Sequence, residues 1–233
     1  MWSLLVAGAL VQSVLASGPE AGLEIRSASP EVLAELKQSL QTGSLLFSQG
    51  DCLAVKIFSA SSYTHVGGVV VKDGEAFVYD SMNGPGVRKT SLDEYLRLQT
   101  PTQLHVVHPA TPLTPERAIA YESHLNGQLG RKYAIKHHLT GQRCDGLHCA
   151  EYQTDALMSV NLIRAQNPAR VSPGSLLEGL EKANLYTNGG HFALKASEPP
   201  KPANLTWCQS LWHDTGTCCS NTATQLRRWV LCR

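Results

Sequence analysis

The chain has 233 residues, 42% hydrophobic and 17% charged, with 20 Lys and Arg against 19 Asp and Glu for a formal charge of +1. That length and apolar share suffice for one domain with a sizeable core plus appendages. Balanced charge, with neither a basic stripe nor an acidic tail, excludes bulk electrostatics as the basis of partnership and argues against nucleic acid as a partner.

Leu4 to Ala16 is a nearly unbroken apolar stretch, interrupted only by Gly8, Gln12 and Ser13 and ending Val14-Leu15-Ala16. A small residue closing such a run predicts a signal peptide over residues 1–16 and a secreted or periplasmic, extracytoplasmic location. The stretch is shorter than the about 20 apolar residues of a comfortable transmembrane helix. No Lys or Arg precedes it, so an N-terminal membrane anchor stays open as the other reading. No later run is apolar enough to span a bilayer, so no integral membrane span is expected after cleavage. Residues 17–41 read as a polar segment to Ala28 followed by a helix. Ser29 serves as its N-cap, Pro30 opens its first turn, and Val32, Leu33, Leu36 and Leu40 share one face.

Residues 42–198 read as the main domain. Ser44-Leu45-Leu46-Phe47 is a short buried strand, and Cys52 to Ala60 a short helix. The clearest β signal follows: Thr64 to Val71 is strand-like, Lys72-Asp73-Gly74-Glu75 is a turn, and Ala76 to Asp80 is a second strand. Asp-Gly between two such runs marks a hairpin. Asn83-Gly84-Pro85-Gly86 reads as a connector or a mobile loop near the site. Thr90 to Leu98 is a helix capped by Thr90 or Ser91, and Leu104 to Val107 a strand. Thr114-Pro115 opens a helix running to Leu129 and stopped by Gly130. A loop rich in Lys, His and Tyr leads into a helix from Cys149 to about Asn161. Ser172-Pro173 starts another, to about Lys182. Strands and helices alternate irregularly, which indicates an α+β class.

Residues 199–233 read as a Pro-rich linker and a cysteine-rich tail. Of seven cysteines, Cys208, Cys218, Cys219 and Cys232 lie in that tail, and Cys52, Cys144 and Cys149 in the body. In an oxidising compartment the tail cluster predicts disulfides. Asn204-Leu205-Thr206 fits a glycosylation acceptor, a pattern common by chance. An odd count leaves one thiol over, and a free thiol in a secreted chain needs a reason. Catalysis by Cys149 is one reason. A free Cys52, or a bond between Cys144 and Cys149, are the alternatives.

Three residues form a chemical constellation. If Asp73-Gly74 are the central pair of a tight turn, the register sets Asp80 opposite Gly67, two residues from His65 and on its face. Such diagonal neighbours lie about 7–8 Å apart at Cα, within reach of an Asp–His hydrogen bond. The glycines at 67 and 68 are expected to leave open space beside His65 for a reacting group. In the Cys149 helix, Cys149, Gln153, Ala156, Leu157 and Val160 share a stripe, so the thiol is expected to face a packed sheet. Its place in the first helical turn lowers a thiol pKa through the helix dipole and free N–H groups. The roles that follow are Cys149 as nucleophile, His65 as general base and acid, Asp80 as orienter, and the Cys149 backbone N–H as an oxyanion donor.

The motifs Ser44-Leu45-Leu46-Phe47, Tyr63-Thr64-His65-Val66-Gly67, Phe77-Val78-Tyr79-Asp80 and Leu147-His148-Cys149-Ala150-Glu151, in that order, resemble the permuted branch of the NlpC superfamily of cysteine peptidases. The nearest group is the YiiX-like permuted papain-like amidases. There the His-bearing strand precedes the Cys-bearing helix, the reverse of papain. Gly43-Ser44 stands where the family has Gly-Asp, and Asp80 where it tends to carry Glu. Being one methylene shorter, Asp80 is expected to contact His65 loosely or through water. The resemblance covers roughly Thr42 to Lys182 and implies a circularly permuted papain-like (NlpC-type) fold, an antiparallel sheet packed on the Cys-bearing helix, here with a disulfide-rich C-terminal tail. It implies a thiol hydrolase cleaving an amide bond through an acyl-enzyme, with a peptide, cell-wall or acyl-amide substrate and no cofactor. Tyr63 and Glu151, near His65 and Cys149, are candidates for shaping the substrate site.

Other readings remain. An acyltransferase or esterase on the same scaffold would use the same nucleophile and base. A non-catalytic binding module would keep the fold alone. A metal site from His137, His138, Cys144, His148 and Cys149 matches no familiar ligand spacing, and no metal is expected.

Overall fold

Among the described residues, seven strands make one sheet. They are β1 (Ile25–Ser27), β2 (Leu45–Ser48), β3 (His65–Lys72), β4 (Glu75–Met82), β5 (Gly86–Ser91), β6 (Thr102–Pro109) and β7 (Tyr186–Leu194), arranged in the order β1-β7-β6-β2-β3-β4-β5. The computed structural model describes residues 25–27, 29–49, 61–99, 102–143 and 145–194. The expected signal peptide, the Cys52 to Ala60 helix, the Pro-rich linker and every cysteine except Cys149 lie outside the described residues. β1 runs parallel to β7; every other pairing is antiparallel.

The hairpin that carries the site forms as its Asp-Gly turn predicts. Asp73 has φ 52° and Gly74 φ 80°, the pair of left-handed residues that a primed two-residue turn demands. Lys72 therefore faces Glu75 and Gly68 faces Tyr79. Asn83, Gly84 and Pro85, read from sequence as a connector or a mobile loop, are a tight turn into β5. β7 has no counterpart among the elements expected from sequence, and Asn188-Gly189-Gly190 lies inside it. The strand survives by bulging against Val106 and Val107, with Gly190 at φ 112° and its N–H donated to Asn188 Oδ1.

Helices cover both faces. α1 (Pro30–Ser39) and α2 (Leu92–Gln99) lie on one side. There Leu36, Tyr95 and Leu96 pack with Leu46, Val69, Val78 and Leu104 of the strands. α3 (Pro115–Asn126), α5 (Cys149–Ser159) and α6 (Pro173–Lys182) lie on the other. There Tyr121, Ala156, Leu157 and Leu177 pack with Leu45, Phe47, Val66, Val70 and Tyr79. α4 (Lys136–Thr140) is a single turn in the loop before the site. Strand residues alternate between the two cores, as the period of two requires. The caps follow their sequence signals: Ser29 accepts from Val32 N–H, Thr114 from Arg117 N–H, and Ser172 and Ser175 form a reciprocal capping box.

Candidate active site

α5 begins at Cys149, and His148 is its N-cap. The His148 backbone is extended, its Nδ1 accepts the Glu151 N–H at 3.3 Å, and its Nε2 donates to the Ala169 carbonyl at 2.8 Å. An imidazole capping a helix is a signal that the usual Ser, Thr, Asp and Asn pattern would not reveal. It seats the Cys149 Sγ in the first turn, buried and free of any disulfide. The expected stripe is real: Cys149, Gln153, Ala156, Leu157 and Val160 are all buried. Gln153 locks the helix to the sheet, donating to the Tyr79 carbonyl at 2.8 Å and accepting from the Tyr121 hydroxyl at 3.2 Å.

That lock explains Gly68 differently from the sequence reading. A Cβ at Gly68 would collide with the Gln153 amide and the Tyr121 hydroxyl, and one at Gly67 would meet Val78 and Tyr95. The two glycines are sites of close packing, not open space.

His65 and Asp80 meet as the hairpin register requires. His65 Nε2 lies 3.0 Å from Asp80 Oδ2, a direct contact with no need of a bridging water. Arg88, on the facing residue of β5, donates Nε to Asp80 Oδ1 at 2.7 Å and Nη2 to Oδ2 at 3.0 Å. The sequence reading missed this bidentate clamp, because it assigned no element to residues 87–89 and began a helix at Thr90, which the structure places in β5. Asp80 is fully buried, which would raise its pKa; the His65 and Arg88 contacts outweigh burial and lower it.

His65 leans on Tyr95 of α2, ring centroids 6.3 Å apart, so its side chain faces the layer of α1 and α2, whereas Cys149 belongs to the core of α3, α5 and α6. Face parity alone therefore does not bring base and thiol together. Each is the first residue of its element, and there ring and thiol are close enough to shift each other's pKa. With Nε2 on Asp80, Nδ1 is the nitrogen that remains for Cys149. Burial raises the thiol pKa, but the His148 and His65 rings override it and lower it to about 6. Burial likewise lowers His65, but Asp80 and Cys149 prevail and raise it to about 9. His148 also faces the thiol: burial lowers its pKa, but the contact with Cys149 outweighs burial and raises it, while its two nitrogens engage the Glu151 N–H and the Ala169 carbonyl.

The two further residues named from sequence sit in polar clusters of their own. The half-buried Tyr63 packs edge-on against Phe47, and its hydroxyl lies 3.1 Å from His105 Nδ1. Glu151 is fully buried, its carboxylate 3.2 Å from Arg143 Nε and 3.8 Å from His148 Nε2. That placement ties Glu151 to the start of the helix. Among the described residues, no group of three His, Cys, Asp or Glu side chains is arranged to hold a metal ion, and no helix is long and apolar enough to cross a membrane.

No curated protein matches the chain. The crystal structure of metalloprotein yiiX from Escherichia coli O157:H7 aligns at 16% identity with a TM-score of 0.46, covering 71% of this chain and 96% of that one. A family model described as the permuted papain-like amidase enzyme, YaeF/YiiX, C92 family, matches residues 39–175, a span that includes His65, Asp80, Arg88 and Cys149. With the His-bearing strand ahead of the Cys-bearing helix and a mostly antiparallel sheet packed on that helix, the chain belongs to the permuted papain-like amidase family C92.

Proposed function

We propose that the protein is an extracytoplasmic thiol hydrolase that cleaves an amide bond, peptide or N-acyl, through an acyl-enzyme on Cys149. The buried chain Cys149–His65–Asp80 carries this reading: a thiol with its pKa lowered to about 6 beside an imidazole raised to about 9. Between those values the pair rests as thiolate and imidazolium. The thiolate attacks the carbonyl carbon, and the oxyanion forms beside the Cys149 N–H at the start of α5. His65 then gives its proton to the leaving amine as the C–N bond breaks, leaving a thioester. Water enters, His65 takes its proton, and the hydroxyl oxygen displaces Sγ, releasing the acid and restoring the ion pair. Asp80 holds the ring so that Nδ1 stays on the thiol side throughout. The Leu4 to Ala16 pattern supports secretion, and N-terminal sequencing of exported protein tests it.

Intact-mass analysis with peptidyl and N-acyl p-nitroanilides tests the chemistry. The expected result is a hydroxylamine-sensitive acyl adduct on the Cys149 peptide, absent in Cys149→Ala and much reduced in His65→Ala. Hydrolysis that persists in Cys149→Ala would sink the proposal.

A further inference from the structure

We propose that Arg88 is a positioning residue of this site: by clamping Asp80 it completes a buried set of two cations and two anions that keeps the Cys149 thiol ionised. The inference rests on the reading of Cys149, His65 and Asp80 given above and adds a fourth member to it.

The geometry is that of a dedicated clamp. Arg88 and Asp80 are directly opposed on β5 and β4, and the guanidinium meets both carboxylate oxygens at 2.7 and 3.0 Å. A fork-on-carboxylate pairing fixes the carboxylate plane as well as its charge. Oδ2 is shared between Arg88 and His65, so the clamp sets the direction from which the ring is held. The Asp80 side chain has no exposed surface and that of Arg88 is 19% exposed. Arg88 also lines a cavity of about 450 Å³ with Met82, Asn83, Gly84, Pro85 and Leu98. Its side chain thus touches both the buried carboxylate and that cavity.

Charge counting gives the consequence. With Cys149 as thiolate, His65 as imidazolium, Asp80 as carboxylate and Arg88 as guanidinium, the buried set sums to zero. Guanidinium is permanently charged, so it is the one cation that does not depend on pH. Without it the set carries a net negative charge in a low-dielectric site, and uptake of a proton by the thiol relieves it. The other titratable groups near the set do not replace it. Tyr95 faces Asp80 and Cys149, and Tyr133 faces Cys149; burial raises both, so both stay neutral. His148 also lowers the thiol and is itself raised, but it is present in wild type and Arg88 variants alike, so their comparison isolates the guanidinium; Glu94, near Arg88, adds negative charge.

The test is the pH dependence of iodoacetamide alkylation in the full chain, read at the Cys149 peptide by mass spectrometry. Wild type should show its acid limb near 6. Arg88→Gln should move that limb up by about one unit, a roughly tenfold slower alkylation on the acid side, with the fold intact by circular dichroism. Arg88→Lys, which keeps the charge, should recover most of it. An acid limb of Arg88→Gln that coincides with wild type overturns the inference. Where Arg88→Gln does not fold, Asp80→Asn is compared with Asp80→Asn/Arg88→Gln, which removes both buried charges. The double variant should titrate higher, and coincidence of the two overturns the inference. Failure of the underlying reading looks different: wild-type Cys149 then titrates as an ordinary thiol, or His65→Ala leaves its limb unmoved.

Discussion

Burial alone would raise Cys149 and lower His65, and would leave the site uncharged at neutral pH. The His148 and His65 rings together reverse the shift of the thiol, and Asp80 with Cys149 reverses that of His65. The signs fix the pH window. The thiolate is lost as pH falls through about 6, and the imidazolium as pH rises through about 9. Turnover should therefore follow a bell between those limits, measured as kcat/KM against pH. Asp80→Asn should lower kcat by roughly 10²-fold or more and pull the basic limb down, since the imidazolium loses its partner. A basic limb that stays in place would show that Asp80 does not hold the ring. Gly68→Ala should cost about 2–3 kcal/mol in urea denaturation, because the added methyl drives into the Gln153 and Tyr121 lock. A neutral outcome would mean that Gly68 is open after all. The Asp80–His65 contact was legible before the fold, since Asp73-Gly74 permits one turn and hence one register. Arg88 was not, because an edge strand reading Gly-Val-Arg-Lys-Thr-Ser looks like solvated chain until its partner strand is known.

α5 shows how a helix terminus is built around a reactive group. His148 closes the first turn through Nδ1 and ties it to the 3₁₀ turn at Pro168–Arg170 through Nε2. His148→Ala should cost about 1 kcal/mol of stability, by the ordinary worth of an N-cap. His148→Asn should recover most of that loss while leaving the Ala169 carbonyl unanchored. Urea midpoints of the three proteins check the cap, and equal midpoints would refute it. The periodic apolar stripe of α5 and the Ser-Pro and Thr-Pro starts of α1, α3 and α6 were readable because local chemistry determines them. β7 was not, because its bulge exists only against β6, and a lone Asn-Gly-Gly carries no trace of that partner. The same holds for β1, three residues whose strand character comes from β7 alone.

Across the whole molecule, the sheet is a wall between two cores, and the histidines of β6 and β7 give it an acid limit. His105 stacks on His191 at 3.9 Å, and burial followed by the neighbouring His191 lowers its pKa from 6.5 to about 4. A histidine held neutral in the fold contributes stability above its unfolded pKa and loses it as pH falls from 6.5 toward 4. His191 and His108 are lowered by burial as well and act with the same sign. The expected loss from His105 is on the order of 2 kcal/mol over that interval, discounted for partial solvent screening. Urea midpoints at the two ends of the interval measure it, and His105→Asn should flatten the slope. An unchanged slope would assign the loss elsewhere.

His65 leaning on α2 and Cys149 heading α5 make the proposed base and nucleophile a gauge of how the two helical layers are seated across the wall. A slide of either layer too small to unwind a helix or part a strand still draws thiol and ring out of reach. Thiol reactivity should therefore fade at a lower denaturant concentration than the far-ultraviolet signal, and core-thinning changes as far off as Leu36 and Leu177 should register there first.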